Sequence, residues 1–253
     1  MAADPNCPQC RGTGWIYVEH DGIESARKCT CILAGRPREI EAASQVPGLY
    51  REASFENFKL PADNPIARQG LASVVLAVRS YARDFPNTDK PGLLLVGDPG
   101  TGKTHLAVAA LRSLMNRGFE GLFYDYKGLL DRIRLSYDSL SGQSDREAYR
   151  QALDAEVLLL DDLGAHRVTD WVEDTVTSIV TARCNNRRPL IATTNLPDAD
   201  FGNSMVDRTG GIGLQPGWKR SLSEAIGMRA HSRLFEMCRV VKMPAVEDYR
   251  KRR

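Results

Sequence analysis

Apolar positions along the 253-residue chain fall into two patterns, and their alternation outlines a fold. Three short runs are almost continuously apolar: Gly92-Leu93-Leu94-Leu95-Val96, Val157-Leu158-Leu159-Leu160 and Pro189-Leu190-Ile191-Ala192-Thr193-Thr194-Asn195. A strand covered on both faces has no solvent side to alternate towards, so such runs predict strands of a parallel sheet. Between and around them lie stretches with helical spacing. These are Leu71 to Arg83, with Leu71, Val74, Val75 and Val78 on one face, then Thr104 to Arg117, Lys127 to Tyr137 and Trp171 to Asn186. The order predicts an α/β fold, a parallel sheet with right-handed crossovers and flanking helices.

The first 60 residues differ. Trp15-Ile16-Tyr17-Val18 reads as a short strand between turn residues, and Arg38 to Gln45 reads as a short helix leading into a Pro- and Gly-bearing linker that ends near Pro61. The expected division is a small segment over residues 1–36, a helix and linker over 37–60, and the main domain over 61–253.

Composition narrows the class without naming a partner. Hydrophobic residues at 42% and charged residues at 26% exclude wholly disordered, collagen-like and coiled-coil chains. The longest near-continuous apolar stretch, Leu71 to Val78, is far below the ~20 residues of a membrane helix, and the N-terminal residues form no apolar signal core. A cytoplasmic protein with no membrane partner is therefore expected. A net charge of +2 is too small to specify nucleic acid, so any basic surface has to be local.

Four of the six cysteines crowd the N-terminus: Cys7, Cys10, Cys29 and Cys31, as C-x-x-C, eighteen intervening residues, then C-x-C. In a chain with no secretory signal, paired thiols on turns favour metal over disulfides. Four thiolates complete a tetrahedral zinc site, and the metal substitutes for the core that so short a segment cannot build. His20 is an alternative fourth ligand.

The main chemistry follows the first apolar run. Gly97, Asp98, Pro99, Gly100, Thr101, Gly102, Lys103 and Thr104 form G-x-x-x-x-G-K-T, a Walker A loop between a strand and a helix. Glycines let backbone N–H groups curl round phosphate oxygens, and the helix presents its positive end to them. Lys103 reaches the β and γ phosphates, and Thr104 offers a hydroxyl to Mg²⁺. ATP and Mg²⁺ are the expected ligands. At the end of the second run, Asp161 is placed to anchor Mg²⁺ and Asp162 to position or deprotonate the attacking water. Asn195, ending the third run, is suited to hold that water from the other side.

These segments together resemble the AAA+ ATPases of the DnaC/DnaI helicase-loader and IstB-like group. The resemblance spans roughly residues 47 to 253 and rests on GDPGTGKTH (Gly97 to His105), VLLLDDLG (Val157 to Gly164), ATTN (Ala192 to Asn195), the segment Gly227 to Leu234, and Asp248-Tyr249-Arg250. It implies that His105 belongs to the nucleotide-binding segment and that Arg250 senses nucleotide within its own subunit. It further implies that Arg233, with Arg229, reaches a neighbouring subunit's nucleotide. The i, i+4 spacing of those two arginines puts both guanidiniums on one helix face. The resemblance also implies that the helix carrying Lys127, Arg132, Arg134 and Tyr137, and the loop carrying His166, Arg167, Thr169 and Trp171, line a DNA-binding pore. Cations interleaved with aromatics suit single strands.

Two features depart from the family pattern. Position 162 is Asp where the wider AAA+ pattern has Glu, and the shorter carboxylate predicts slow hydrolysis. The stretch Asp200 to Lys219 is longer than the equivalent family loop. The expected function is an ATPase that self-assembles on nucleotide, binds single-stranded DNA and loads a DnaB-like replicative hexameric helicase. An IstB-like transposition helper acting on duplex DNA is the alternative, and a P-loop small-molecule kinase is the reading from another class.

Overall fold

The computed structural model describes residues 6–13, 15–20, 23–28, 39–138, 143–197 and 220–252. Near the N-terminus β1 (Trp15–His20) and β2 (Ile23–Lys28) form an antiparallel hairpin that pairs Trp15 with Lys28 and His20 with Ile23. Cys7 and Cys10 are buried on the turn just before it, where Arg11 N–H donates to the Cys7 carbonyl (2.8 Å) and Ile16 packs against the two thiols. Cys29 and Cys31 lie outside the described residues, and among the described residues no cluster of three or more metal-ligating side chains occurs.

The main domain begins with α1 (Pro65–Asp84), earlier than its apolar periodicity indicates. Asn64 accepts the Ala67 N–H at 3.0 Å, and Pro65 fills the first helical position, where its missing N–H costs nothing. Then follow β3 (Gly92–Val96), α2 (Lys103–Asn116), β4 (Gly121–Asp125), α3 (Tyr126–Asp138), α4 (Gln143–Asp154), β5 (Val157–Asp161), α5 (Asp170–Asn185), β6 (Leu190–Thr194), α6 (Leu222–Ile226), α7 (Met228–Met237) and β7 (Cys238–Lys242). A 3₁₀ turn at Tyr249–Arg252 follows.

The strands form one five-stranded parallel sheet in the order β4-β5-β6-β3-β7. The three continuously apolar runs are its three inner strands, buried at every position. Their side chains divide between two cores. Leu93, Leu95, Val157, Leu159 and Ile191 pack with α1 and α2, whereas Leu94, Val96, Leu158, Leu160, Leu190 and Ala192 pack under α3 to α7. The edge strands β4 and β7 are only partly buried, so their sequences carry no such run.

Residues 39–60 differ from the expected helix and linker. Residues 39–43 are helical, but Ile40, Val46, Ala53 and Phe58 bury their side chains in the same core as α1 and α2. Their apolar contribution closes one side of the main domain, so the stretch is part of that domain's packing. The Asp200 to Lys219 stretch lies outside the described residues. Among the described residues no helix is long and apolar enough to cross a membrane.

Candidate active site

The site forms at the C-terminal edge of the sheet, where β3 and β5 end beside β6. Gly97 N–H donates to the Thr194 carbonyl (3.2 Å) as the last tie to the sheet, after which the chain turns through Gly100 and Gly102 at φ 78° and 97° into α2. Both glycines are required by space as well as by φ. A Cβ on Gly102 would lie 2.7 Å from the Phe58 ring, and one on Gly100 would meet the Asp248 carboxylate. Gly102 caps α2 with no side-chain partner, so the first amides and the positive end of the helix are left for an anion.

Lys103 is buried within the loop. Its Nζ donates to the carbonyls of Gly97 (2.9 Å) and Asp98 (2.8 Å) and to Asn195 Oδ1 (2.6 Å). Burial lowers its pKa, and the carboxylates of Asp162, Asp161 and Asp98 oppose the shift. Thr101 stays inside the loop, donating to the Asp98 carbonyl at 2.9 Å. Thr104 Oγ1 donates to Asp161 Oδ2 (3.1 Å), and Thr193 Oγ1 donates to Asp161 Oδ1 (2.6 Å). Burial raises the Asp161 pKa, the bond from Thr193 lowers it, and the charge of Asp162 raises it again. Asp162 sits at φ 54°, in the left-handed region, with Oδ1 accepting from Asn195 Nδ2 at 2.8 Å.

A cavity of about 340 Å³ opens over these groups, lined by Pro99, Gly100, Lys103, Thr104, Asp161, Asp162, Asn195, Arg250 and neighbours. The expected loop, both acids, Asn195 and Arg250 are thus brought together. Thr104 and Asp161 present hard oxygens side by side at the cavity, a donor set that fits Mg²⁺. Magnesium held there would supply positive charge to the β and γ phosphate oxygens.

His105, next after Thr104 in α2, also lines this cavity. Its Nε2 donates to the Ser54 carbonyl (2.9 Å), and its ring meets the edges of Phe58 (5.3 Å) and Tyr249 (5.5 Å) behind the loop. Phe58 and Tyr249 stack at 4.8 Å, and Tyr249 N–H donates to the Gly100 carbonyl at 2.6 Å. Sequence reasoning missed these supports and Thr193. The available signal was two threonines in a fully buried strand, since an interior hydroxyl needs a partner.

Arg229 and Arg233 share the exposed face of α7, do not line the cavity of their own chain, and Arg233 pairs with Glu236 at 2.6 Å. Lys127, Arg132 and Arg134 are exposed on α3, Arg132 bonding Gln45 (3.1 Å) and lying over the Tyr124 ring at 5.7 Å. The Tyr137 side chain lies outside the described residues. Thr169 caps α5 by accepting the Val172 N–H (3.3 Å), and half-buried Trp171 packs against the second core. His166 Nε2 lies 3.9 Å from Asp131 Oδ1, which sets the loop after β5 beside α3.

A parallel sheet with β6 inserted between the strand feeding the phosphate loop and the strand ending in paired carboxylates defines a P-loop ATPase of the AAA+ class. Within that class the chain belongs to the family of IstB-like ATP-binding proteins, whose profile matches residues 40–210. It is 25% identical over 201 residues to the phage-like element PBSX protein XkdC of Bacillus subtilis, covering 76% of this chain and 72% of that protein. To the replicative helicase loader DnaC of Buchnera aphidicola it is 26% identical over 179 residues, covering 69% and 70%. A crystal structure of the DnaC helicase loader superposes with a TM-score of 0.60 at 29% identity, covering 78% of this chain and 100% of that one.

Proposed function

We propose that this ATPase loads a DnaB-like replicative hexameric helicase onto single-stranded DNA in the cytoplasm, assembling with copies of itself when nucleotide is bound. The observation that carries the reading is the likeness to the DnaC helicase loader over the whole of that solved chain. Local chemistry is consistent with it. Exposed Lys127 and Arg134 stand on α3 beside the loop after β5, a local basic surface on a chain of net charge only +2. Arg132, although tied to Gln45, is exposed on the same helix, while Thr169 and Trp171 shape the loop's exit.

In the proposed reaction Lys103 exchanges Gly97, Asp98 and Asn195 for phosphate oxygens. That exchange frees Asn195, which with Asp162 holds the attacking water. One oxygen of Asp162 is committed to Asn195, leaving the other to orient the water or accept its proton. Arg250, at the cavity wall, senses the phosphates of its own chain, and Arg233, with Arg229, completes a neighbour's site.

The likeness to IstB-like ATP-binding proteins leaves room for a second reading, a transposition helper that prepares duplex target DNA. ATPase rates without DNA, with single-stranded DNA and with duplex separate the two. Loading predicts stimulation by the single strand, the helper predicts stimulation by duplex, and a rate indifferent to both removes DNA from the proposal.

The N-terminal segment is proposed to bind one zinc through Cys7, Cys10, Cys29 and Cys31 and to dock the helicase. Two buried thiols on one turn beside a hairpin support it. Elemental analysis of protein purified without chelator should give one zinc per chain. Cys10→Ser should lose the metal while ATP binding persists, and absence of zinc in the wild type would remove the assignment.

A further inference from the structure

Thr193 lies beneath the site, fully buried near the end of β6 and level with Leu95 of β3. A hydroxyl fully buried in a sheet interior is costly unless it is hydrogen-bonded. Here it is. Asp162 N–H donates to Thr193 Oγ1 at 3.0 Å, and Thr193 Oγ1 donates to Asp161 Oδ1 at 2.6 Å. An amide can only donate, so the hydroxyl accepts there, and its own proton is directed to Asp161. With Asp161 ionised, Oδ1 can only accept, and the hydroxyl proton goes to it.

Two consequences follow for the acids on either side. With Oδ1 held by Thr193, Asp161 turns Oδ2 to Thr104, the hydroxyl that would join it in holding Mg²⁺. Asp162 has its backbone at φ 54°, in the left-handed region that disfavours residues with a Cβ, and its amide is anchored there by the same hydroxyl. The next residues extend the anchor. Leu163 N–H donates to the Thr193 carbonyl (2.8 Å), and Thr194 Oγ1 donates to the Leu163 carbonyl (2.8 Å). The turn that carries Asp162 is thereby fastened to the end of β6, two residues from the point where Asn195 meets the Asp162 side chain.

We propose that Thr193 is a positioning residue for hydrolysis, which orients Asp161 towards magnesium and holds the Asp162 turn so that its carboxylate faces Asn195. The proposal rests on the roles given above to the two acids. Outer partners that orient a ligating carboxylate typically contribute roughly 10- to 100-fold in metal affinity or activity.

The test compares Thr193→Val, which keeps the shape and removes the hydroxyl, with Thr193→Ser, which keeps the hydroxyl and removes a methyl. Binding of a fluorescent ATP analogue is measured in chelator and across a magnesium titration, alongside kcat, KM and thermal melting of the full chain. Thr193→Val should bind the analogue in chelator within about twofold of wild type, need about tenfold more magnesium for its half-maximal effect, and lose about tenfold or more in kcat with little change in KM. Thr193→Ser should return both values to near wild type. A Thr193→Val protein with wild-type magnesium dependence and kcat overturns the proposal. So does a Thr193→Ser protein as impaired as the valine variant, because methyl packing would then be the whole effect. If the valine variant shows no cooperative melt, Thr193→Cys, similar in volume with only a weak donor, is judged on the same criteria. Asp161→Asn serves as the reference: wild-type magnesium dependence there would remove the underlying assignment, whereas its impairment beside a silent Thr193→Val removes the Thr193 proposal alone.

Discussion

Lys103→Ala is expected to weaken ATP binding by at least about 100-fold, on the order of 2.7 kcal/mol, and to abolish measurable turnover. The side chain is 5% exposed, and its ammonium points into a pocket shared with Asp161, Asp162 and Asn195. A cation so enclosed meets phosphate oxygens through charge-assisted hydrogen bonds, among the strongest non-covalent contacts available. In alanine's place the phosphates would face the two carboxylates without compensation. Titration calorimetry measures the affinity. A thermal melt gives an independent reading, since ATP should raise the melting temperature of the wild type and leave that of the variant unchanged. Unchanged affinity would mean that this loop does not hold the nucleotide. Without ATP the variant also lacks the bonds from Lys103 Nζ to Gly97, Asp98 and Asn195, so its own melt is the baseline for the ATP shift.

Arg233→Ala should bind ATP almost normally and lose roughly 10³-fold or more in hydrolysis if Arg233 completes a neighbour's site, the contribution of arginine fingers in related P-loop enzymes. The geometry within one chain is consistent with action between chains: Arg233 is exposed on α7 and absent from the walls of its own cavity. Its pairing with Glu236 is on the surface, with both side chains about half exposed, so a phosphate can readily replace the carboxylate. The deciding measurement mixes Arg233→Ala with Lys103→Ala protein, each inactive alone. Some interfaces in a mixed assembly join an intact pocket to an intact arginine, and part of the activity should return. If no mixture regains activity where wild-type subunits demonstrably associate, Arg233 does not act across an interface.

Much of the sheet and of the phosphate site was legible from sequence because each depends on local chemistry. The three inner strands announce themselves by apolar runs, since burial on both faces removes alternation. Gly100, Gly102, Lys103 and Thr104 are legible because a backbone cradle, a cation and a hydroxyl have to occupy fixed offsets in one turn. Strands β4 and β7 carry no such mark, since an edge strand with one wet face mixes Arg239 and Lys242 with valines. Helix α4, rich in charge, has too few apolar positions to stand out as a core element.

The chemistry confined to single stretches is therefore readable along the chain: the phosphate loop, the paired acids, Asn195 and the parallel strands that present them. How residues distant in the chain hold that chemistry in place depends on the folded arrangement. Phe58 and Tyr249 enclose the glycine backbone from opposite ends of the main domain, residues 39–60 join its core, and Thr193 reaches across from β6 to orient Asp161 and the Asp162 turn. Local patterns record which backbone and side-chain groups a turn must contain. Hydrogen bonds and ring contacts between segments depend on where the folded chain brings them together, and no spacing along the sequence encodes that meeting.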